Sequence, residues 1–392
     1  MILHLFTRIP NEPQQDDVVE LYSVSITGST PVRLNDPFGN ATRLLQWDIS
    51  PDNSHVVYIV EQQIEQVSEL YSVSIAGGRT TKLNGALING GSVYSFQISA
   101  DGSHVVYRAD QQQDNVFELY SVPIVGGPQT KLNEPVVSSG GVGRYEISPD
   151  SSLVIFLSIQ QTDGVQGLYS TSINGGTPTK LNGALVARGG IYDFQISPDN
   201  SHVVYSADQQ TDNFIELYGV PITGGTAAIK LSGEFPNTTI PPFRDYGINS
   251  FQISPDSSRV VYRQFVEPDD PQPSIEPVQG WLSNVSIDGG DVTHMFEGQF
   301  GVLVQSRFQF YPIQMSPDGR RVIYTANATQ GPVFNLYSEL LAGGVVLQLN
   351  NGQSNVGGQM FSPDSNHVVY IASRELYVTY EQHSLHLPFV KR

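Results

Sequence analysis

Two short motifs alternate along the whole of this chain. A Ser-x-Asp turn followed by an apolar stretch recurs at Asp52, Asp101, Asp150, Asp199, Asp256, Asp318 and Asp364. A glycine turn answers it at Gly28, Gly77, Gly126, Gly175, Gly224, Gly289 and Gly343. Successive aspartates stand 49, 49, 49, 57, 62 and 46 residues apart. A unit of that size cannot bury an apolar face alone, so repeated copies must pack on one another and share a core.

The stretch Tyr94–Asn133 shows what one unit contains. Tyr94-Ser95-Phe96-Gln97-Ile98 alternates polar and apolar, as a first strand does. Ala100-Asp101-Gly102 is a tight turn. Proline takes the Ala100 place at Pro51, Pro149, Pro198, Pro255, Pro317 and Pro363, pre-setting the backbone for the turn. The aspartate is therefore read as a turn residue bonding nearby backbone. His104-Val105-Val106-Tyr107 opens a second strand, matched at His55–Tyr58, His202–Tyr205, Arg259–Tyr262, Arg321–Tyr324 and His367–Tyr370. Its unbroken apolar character suits a strand covered on both faces. Glu118–Val122 is a third strand, Gly126-Gly127 a hairpin turn and Thr130–Asn133 a short outer strand, on which Lys131 discourages edge pairing.

Four antiparallel strands in about 50 residues make one blade of a β-propeller. The expected fold is all-β, a seven-bladed β-propeller of four-stranded antiparallel blades forming a single domain over residues 1–392. The last Ser-x-Asp repeat has no Gly-Gly turn after it, and the first glycine turn has no Ser-x-Asp before it. Val19–Asn35 is therefore expected to complete the blade begun by Gln359–Ser373. That closes the fold by strand sharing between the N- and C-termini, which removes exposed edges. Glu375–Val378 also reads as a third strand and Ile2–Arg8 as a second, which is the case for eight blades instead.

These residues resemble the TolB-type propeller repeat, a relative of the WD-type repeat. The shared motif is an apolar or aromatic strand, Ser-Pro-Asp-Gly, an apolar strand ending in Tyr, a Leu-Tyr strand and a Gly-Gly turn. The resemblance covers nearly the whole chain, without the separate α/β domain of TolB ahead of the repeats. The Gly-His and Trp-Asp signature of WD repeats is absent, since Trp47-Asp48 falls on the wrong strand. The resemblance implies a non-catalytic scaffold that binds a protein or peptide across one face, in the periplasm or outside the cell.

Bulk properties narrow the partners. With 38 acidic against 20 basic residues the net charge is −18, which disfavours nucleic acid and anionic membrane surfaces. The absence of cysteine excludes disulfides and thiol chemistry. No apolar run is long enough for a transmembrane helix, and Met1–Leu5 is too brief for a signal peptide. No Gly-x-Ser-x-Gly elbow or phosphate-binding glycine loop occurs, so neither peptidase nor nucleotide chemistry is expected.

Site candidates come from departures from the period. The large ones, Gly233–Asn249, Phe265–Gly280 and Phe296–Arg307, read as loops on one face, and they carry Phe243, Arg244, Tyr246, Trp281 and Phe300 as expected ligand-binding residues. A second set stands two residues before each turn serine: Asp48, Gln97, Glu146, Gln195, Gln252 and Gln314, with Met360 seventh. It is expected to line a water-filled tunnel, calcium being the alternative occupant for its oxygen atoms. Asp110–Asp114 and Asp208–Asp212 read as solvated loops. His55, His104, His202 and His367 are repeats of one structural position, and His383 and His386 fall on opposite faces of a strand. Two other functions stay open. One is a lyase resembling oligogalacturonate lyases, a class of single propellers with a histidine-held metal. The other is a structural subunit of an extracellular assembly.

Overall fold

The computed structural model describes residues 2–6, 20–35, 43–61, 67–136, 141–159, 166–234, 246–266, 277–304, 307–310, 313–327, 333–350, 352, 355–372, 375–380 and 383–387. Among them there are strands and turns but no helix. The fold is all-β, built from propeller-type antiparallel blades. The Asp101 repeat is representative: Val93–Ile98, His104–Ala109, Glu118–Pro123 and Thr130–Lys131 form a four-stranded sheet in chain order. The chain divides into two compact units, residues 1–182 with 223–225, and residues 183–222 with 226–392.

The serine of each Ser-x-Asp motif explains why the turn recurs. In all seven repeats its Oγ donates to the aspartate Oδ1 at 2.5–2.7 Å. The same Oγ accepts the N–H five residues on, at 2.9 Å in every case. The residue after the aspartate is left-handed, with φ between 58° and 71° at Asn53, Gly102, Ser151, Asn200, Ser257, Gly319 and Ser365. Where that residue is serine it also ties repeats together. Asp101 N–H donates to Ser151 Oγ, Asp199 to Ser257 and Asp318 to Ser365, each at 3.0 Å. The aspartates are turn residues, as expected.

The outer strand is only two residues long because a side chain takes over from it. Leu119 N–H donates to Asn133 Oδ1 at 2.8 Å, one residue past the point where Leu132 N–H reaches Leu119 O. Asn84, Asn182 and Asn350 repeat the bond to Leu70, Leu168 and Leu336, and Ser232 serves Leu217. Lys131 is not simply an edge charge. It pairs with Glu118, which is buried and also accepts the Tyr120 hydroxyl at 2.6 Å.

Within each unit the cores lie between successive sheets, so a second strand such as that of the Asp101 repeat is covered on both faces. Val57, Ile59, Leu70 and Leu83 of the Asp52 repeat pack against Phe96, Val105, Tyr107 and Tyr120 of the Asp101 repeat. Burial of each such side chain contributes roughly 1.5–3 kcal/mol.

Closure by strand sharing is not the pairing that forms. Glu20–Val24 pairs along its whole length with Ile2–Phe6, and Val32–Arg33 follows it, giving a three-stranded sheet. The sheet of Val356–Phe361 and Val368–Ala372 is completed by Glu375–Tyr380 and His383–Leu387. Each terminal segment pairs with a chain neighbour, the arrangement with the smaller loop-closure cost. Tyr377 also supplies the aromatic partner that Tyr370 needs, with centroids 5.3 Å apart.

Candidate functional site

The Asp256 repeat departs furthest from the template. Its strands run Tyr246–Ile253, Arg259–Val266, Pro277–Ser286 and Thr293–Val304, followed by Arg307–Phe310. Much of the sequence read as an inserted loop at 296–307 is therefore strand, an outward extension of the hairpin. The extension is fastened to the Asp318 repeat by reciprocal backbone bonds between Gln299 and Asn327, at 3.1 and 2.7 Å.

Of the expected ligand-binding residues, Phe243 and Arg244 lie outside the described residues. Tyr246 begins the first strand of the sheet, in register with Val266. Trp281 and Phe300 are buried, 8% and 1% exposed, so they are packing residues and not surface anchors. Phe300 stands edge-on to Phe296 at 5.5 Å and tilted against Tyr324 at 5.9 Å. Gly280 makes room for it: a Cβ there would lie 2.6 Å from Gln264 O and 3.1 Å from the Phe300 ring.

Beneath these aromatics lies a polar group that the spacing argument missed. Arg263 is 2% exposed, with its guanidinium 5.7 Å from the Phe300 ring centre and Nε donating to Asn249 Oδ1 at 2.9 Å. Burial pulls its pKa down to about 10. Nearby, Asn249 Nδ2, Gln264 Oε1 and Gln299 Oε1 are buried without a hydrogen-bond partner among the described residues. A readable signal existed: Gln264 stands where other repeats carry Val60, Ala109, Ser158, Ala207, Ala326 and Ala372. Orphaned polar atoms cost about 1–3 kcal/mol each, a cost that a bound polar group would relieve.

The tunnel set behaves differently from expectation. Gln97 Nε2 donates to Tyr145 O at 3.0 Å while its Oε1 accepts Ile147 N–H at 3.2 Å. Gln195 bridges Phe251 and Ile253 in the same way, and Gln252 accepts Met315 N–H at 2.9 Å. These amides link first strands of neighbouring repeats. Asp48 accepts the N–H of Ile49, Glu146 pairs with Arg144, and Gln314 is half-buried. The loops at Asp110 and Asp208 are likewise structural. Both carboxylates are buried; Asp110 accepts Ser92 and Asn115 N–H, and Asp208 accepts those of Gly190 and Asn213. Among the described residues no three His, Cys, Asp or Glu side chains converge as metal ligands, and no helix is long and apolar enough to cross a membrane.

No family model and no curated protein matches the sequence. Solved structures do. A eukaryotic initiation factor is 11% identical, with 94% of this chain and 84% of that one aligned at a TM-score of 0.55. An oligogalacturonate lyase in complex with manganese is 12% identical over 93% of this chain and 96% of its own, at 0.45. A putative TolB from Agrobacterium tumefaciens is 19% identical over 66% and 83%, at 0.37. At such identities the likeness concerns fold alone, and a shared fold does not carry a shared activity. The repeat, the sheet topology and the first of these likenesses together make the chain a protein of β-propeller fold.

Proposed function

We propose that residues 1–392 act as one non-catalytic, TolB-like propeller that binds a protein or peptide partner in the cell envelope or outside the cell. The observation that carries this reading is the lengthened Asp256 sheet, which buries Arg263 and Gln264 and leaves buried polar atoms of Asn249, Gln264 and Gln299 without a partner among the described residues. Arg263 shares its position with Arg108, but Gln264 stands where the other repeats carry Val60, Ala109, Ser158, Ala207, Ala326 and Ala372. In the regular repeats many polar side chains serve architecture, serines and aspartates in turns, asparagines on outer strands and glutamates on lysines. The buried atoms without a partner there, among the described residues, are Ser72 Oγ, Ser121 Oγ, Ser158 Oγ and Arg108 Nε. Polar groups beyond architectural need, beside aromatic and arginine side chains, suit recognition.

Arg244 and Tyr246 are the residues assigned to contact the partner. Trp281 is excluded from that role, because a buried tryptophan cut to alanine costs about 3–5 kcal/mol by packing alone. The double variant Arg244→Ala/Tyr246→Ala should lose a partner captured by the parent protein from an envelope extract while keeping the melting temperature. Capture retained by that variant, but lost on substitution near Asp101 or Gly126, would place the binding face elsewhere.

A further inference from the structure

A glutamate occupies a core position in the Asp318 repeat. Second and third strands pair in one register throughout: Val73 lies opposite Val56, Val122 opposite Val105, Thr171 opposite Val154, Val220 opposite Val203 and Val285 opposite Val260. The corresponding pair here is Val322 with Glu339. Val322 belongs to the core that this sheet shares with Val261, Leu282 and Phe300 of the Asp256 sheet. Glu339, beside it, is 3% exposed. Both sheets lie within the same compact unit.

The other buried glutamates have a cation. Glu118 and Glu216 each pair with a lysine of the fourth strand, Lys131 and Lys230. Among the described residues Glu339 has no ion pair, and its one side-chain hydrogen bond comes from the Tyr324 hydroxyl at 3.4 Å. Tyr107 and Tyr205, at the same strand position as Tyr324, give their hydroxyls to Gln111 and Gln209 instead. The Tyr324 ring is packed by Phe296, Phe300 and Tyr337, with centroids 5.1, 5.9 and 5.8 Å away. On the facing strand Arg259 and Arg263 flank Val261, but both are engaged: Arg259 Nε donates to Asn284 Oδ1 at 2.6 Å and Arg263 Nε to Asn249 Oδ1 at 2.9 Å. A carboxylate so placed loses its hydration and gains no opposite charge. Burial accordingly pushes the Glu339 carboxyl above its ordinary 4.5, with the Tyr324 bond pulling the other way.

We propose that Glu339 makes the seam between the Asp256 and Asp318 sheets a proton-sensitive joint, closed while its carboxyl is neutral and loosened when that carboxyl ionises. The neutral form favours the folded seam. Its contribution is therefore complete below the unfolded glutamate value and is lost as pH rises through the higher folded one. The effect should reach the extended hairpin. Tyr324, which meets the carboxyl, stands three residues before Asn327, whose backbone is bonded to Gln299 of the Thr293–Val304 strand. The inference does not rest on partner binding, since it concerns only how two sheets of one unit hold together.

Glu339→Gln, neutral at every pH, is the test. Its melting temperature should match the parent's near pH 4.5 and exceed it by several degrees at about pH 8. Hydrogen exchange, corrected for its intrinsic pH dependence, localises the change. The Gln299 and Asn327 amides of the parent should exchange severalfold faster at about pH 8 than at about pH 5, and those of Glu339→Gln should not. Tyr324→Phe, which removes the bond opposing burial, should move the loss to higher pH. Parallel melting profiles of Glu339→Gln and parent would overturn the proposal. So would a Glu339→Gln protein less stable than the parent at about pH 8, the mark of an ionised Glu339 paired with Arg259. If Glu339→Gln does not fold, carbon-13 titration of the parent's glutamate carboxyls decides. A midpoint above 4.5 supports the joint, and midpoints all at or below 4.5 overturn it.

Discussion

The ring of Tyr107 lies over that of Tyr120, centroids 5.3 Å apart and planes 20° from parallel, across the directly opposed pair that joins the second and third strands. The same stack recurs as Tyr58–Tyr71, Phe156–Tyr169, Tyr205–Tyr218, Tyr324–Tyr337 and Tyr370–Tyr377. Cross-strand aromatic pairs fix register, because a one-residue slip would turn each ring to the opposite face. In the Asp256 repeat the third-strand ring is replaced by Ser283, whose Oγ lies 3.0 Å from His294 Nδ1, and there the repeat diverges most.

Removing one ring of the stack should therefore be costly. Tyr120→Ala is expected to lower stability by about 3–5 kcal/mol, the range for deleting a buried aromatic side chain. Tyr120→Phe keeps the stack but removes the hydroxyl donor to buried Glu118, and should cost about 1–2 kcal/mol. Chemical denaturation midpoints of the two variants measure the difference.

The turn aspartates make stability depend on acid. Ser50 and Ser54 hydrogen bonds hold Asp52 at about 2, below its ordinary 3.8. At Asp199 burial pushes the other way, but bonds from Ser197, Ser201 and Ser257 outweigh it and the value is again about 2. Asp364 sits at about 2 through Ser362 and Asn366. A depressed folded-state value means the contribution is complete above the unfolded aspartate pKa of about 3.9 and is lost as pH falls toward 2. The melting temperature should hold down to about pH 4 and fall below it, and Ser50→Ala, which lets Asp52 return toward its ordinary value, should melt lower than the parent above pH 4 with the difference narrowing as pH falls toward 2. A profile flat to pH 2 would contradict this.

Asn133 replaces a missing strand residue, so Asn133→Ala should leave the buried Leu119 N–H unsatisfied and cost about 1–3 kcal/mol. Hydrogen exchange gives the more specific readout. The Leu119 amide should lose protection while that of Tyr107, in the strand beyond it, changes only with global stability.

Gly126 is required twice over. Its φ is 90°, and a Cβ would sit 2.6 Å from Thr81 Cγ2 on the preceding repeat. Gly126→Ala should destabilise by about 1–3 kcal/mol. Adding Thr81→Ser, which removes that methyl, should recover part of the loss and leave the conformational share. A double-mutant cycle over the four proteins separates the two.

Calcium or a chelator should leave the melting temperature unchanged, because Gln97, Gln195 and Gln252 already spend their amides on neighbouring backbone. A rise of several degrees with calcium would show a site that binds the folded state.

The period, the four strands of each repeat, the Ser-x-Asp turns and the aromatic residue of each second strand, a tyrosine in all but the Phe156 repeat, were legible in the chain itself. They rest on interactions spanning a few residues, or on alternation that a single strand displays. Tertiary structure decided what covers what. Ile2–Phe6 pairing with Glu20–Val24 displaced the strand sharing expected between the termini. Gln97 and Gln195 reached neighbouring backbone, while Asp48, one methylene shorter, serves its own strand. Trp281 and Phe300 became core, whereas Trp47 stayed half open. An aromatic side chain is written the same way at a buried and at an exposed position. Its burial depends on whether a neighbouring sheet supplies a strand beside it, and only the folded chain settles that.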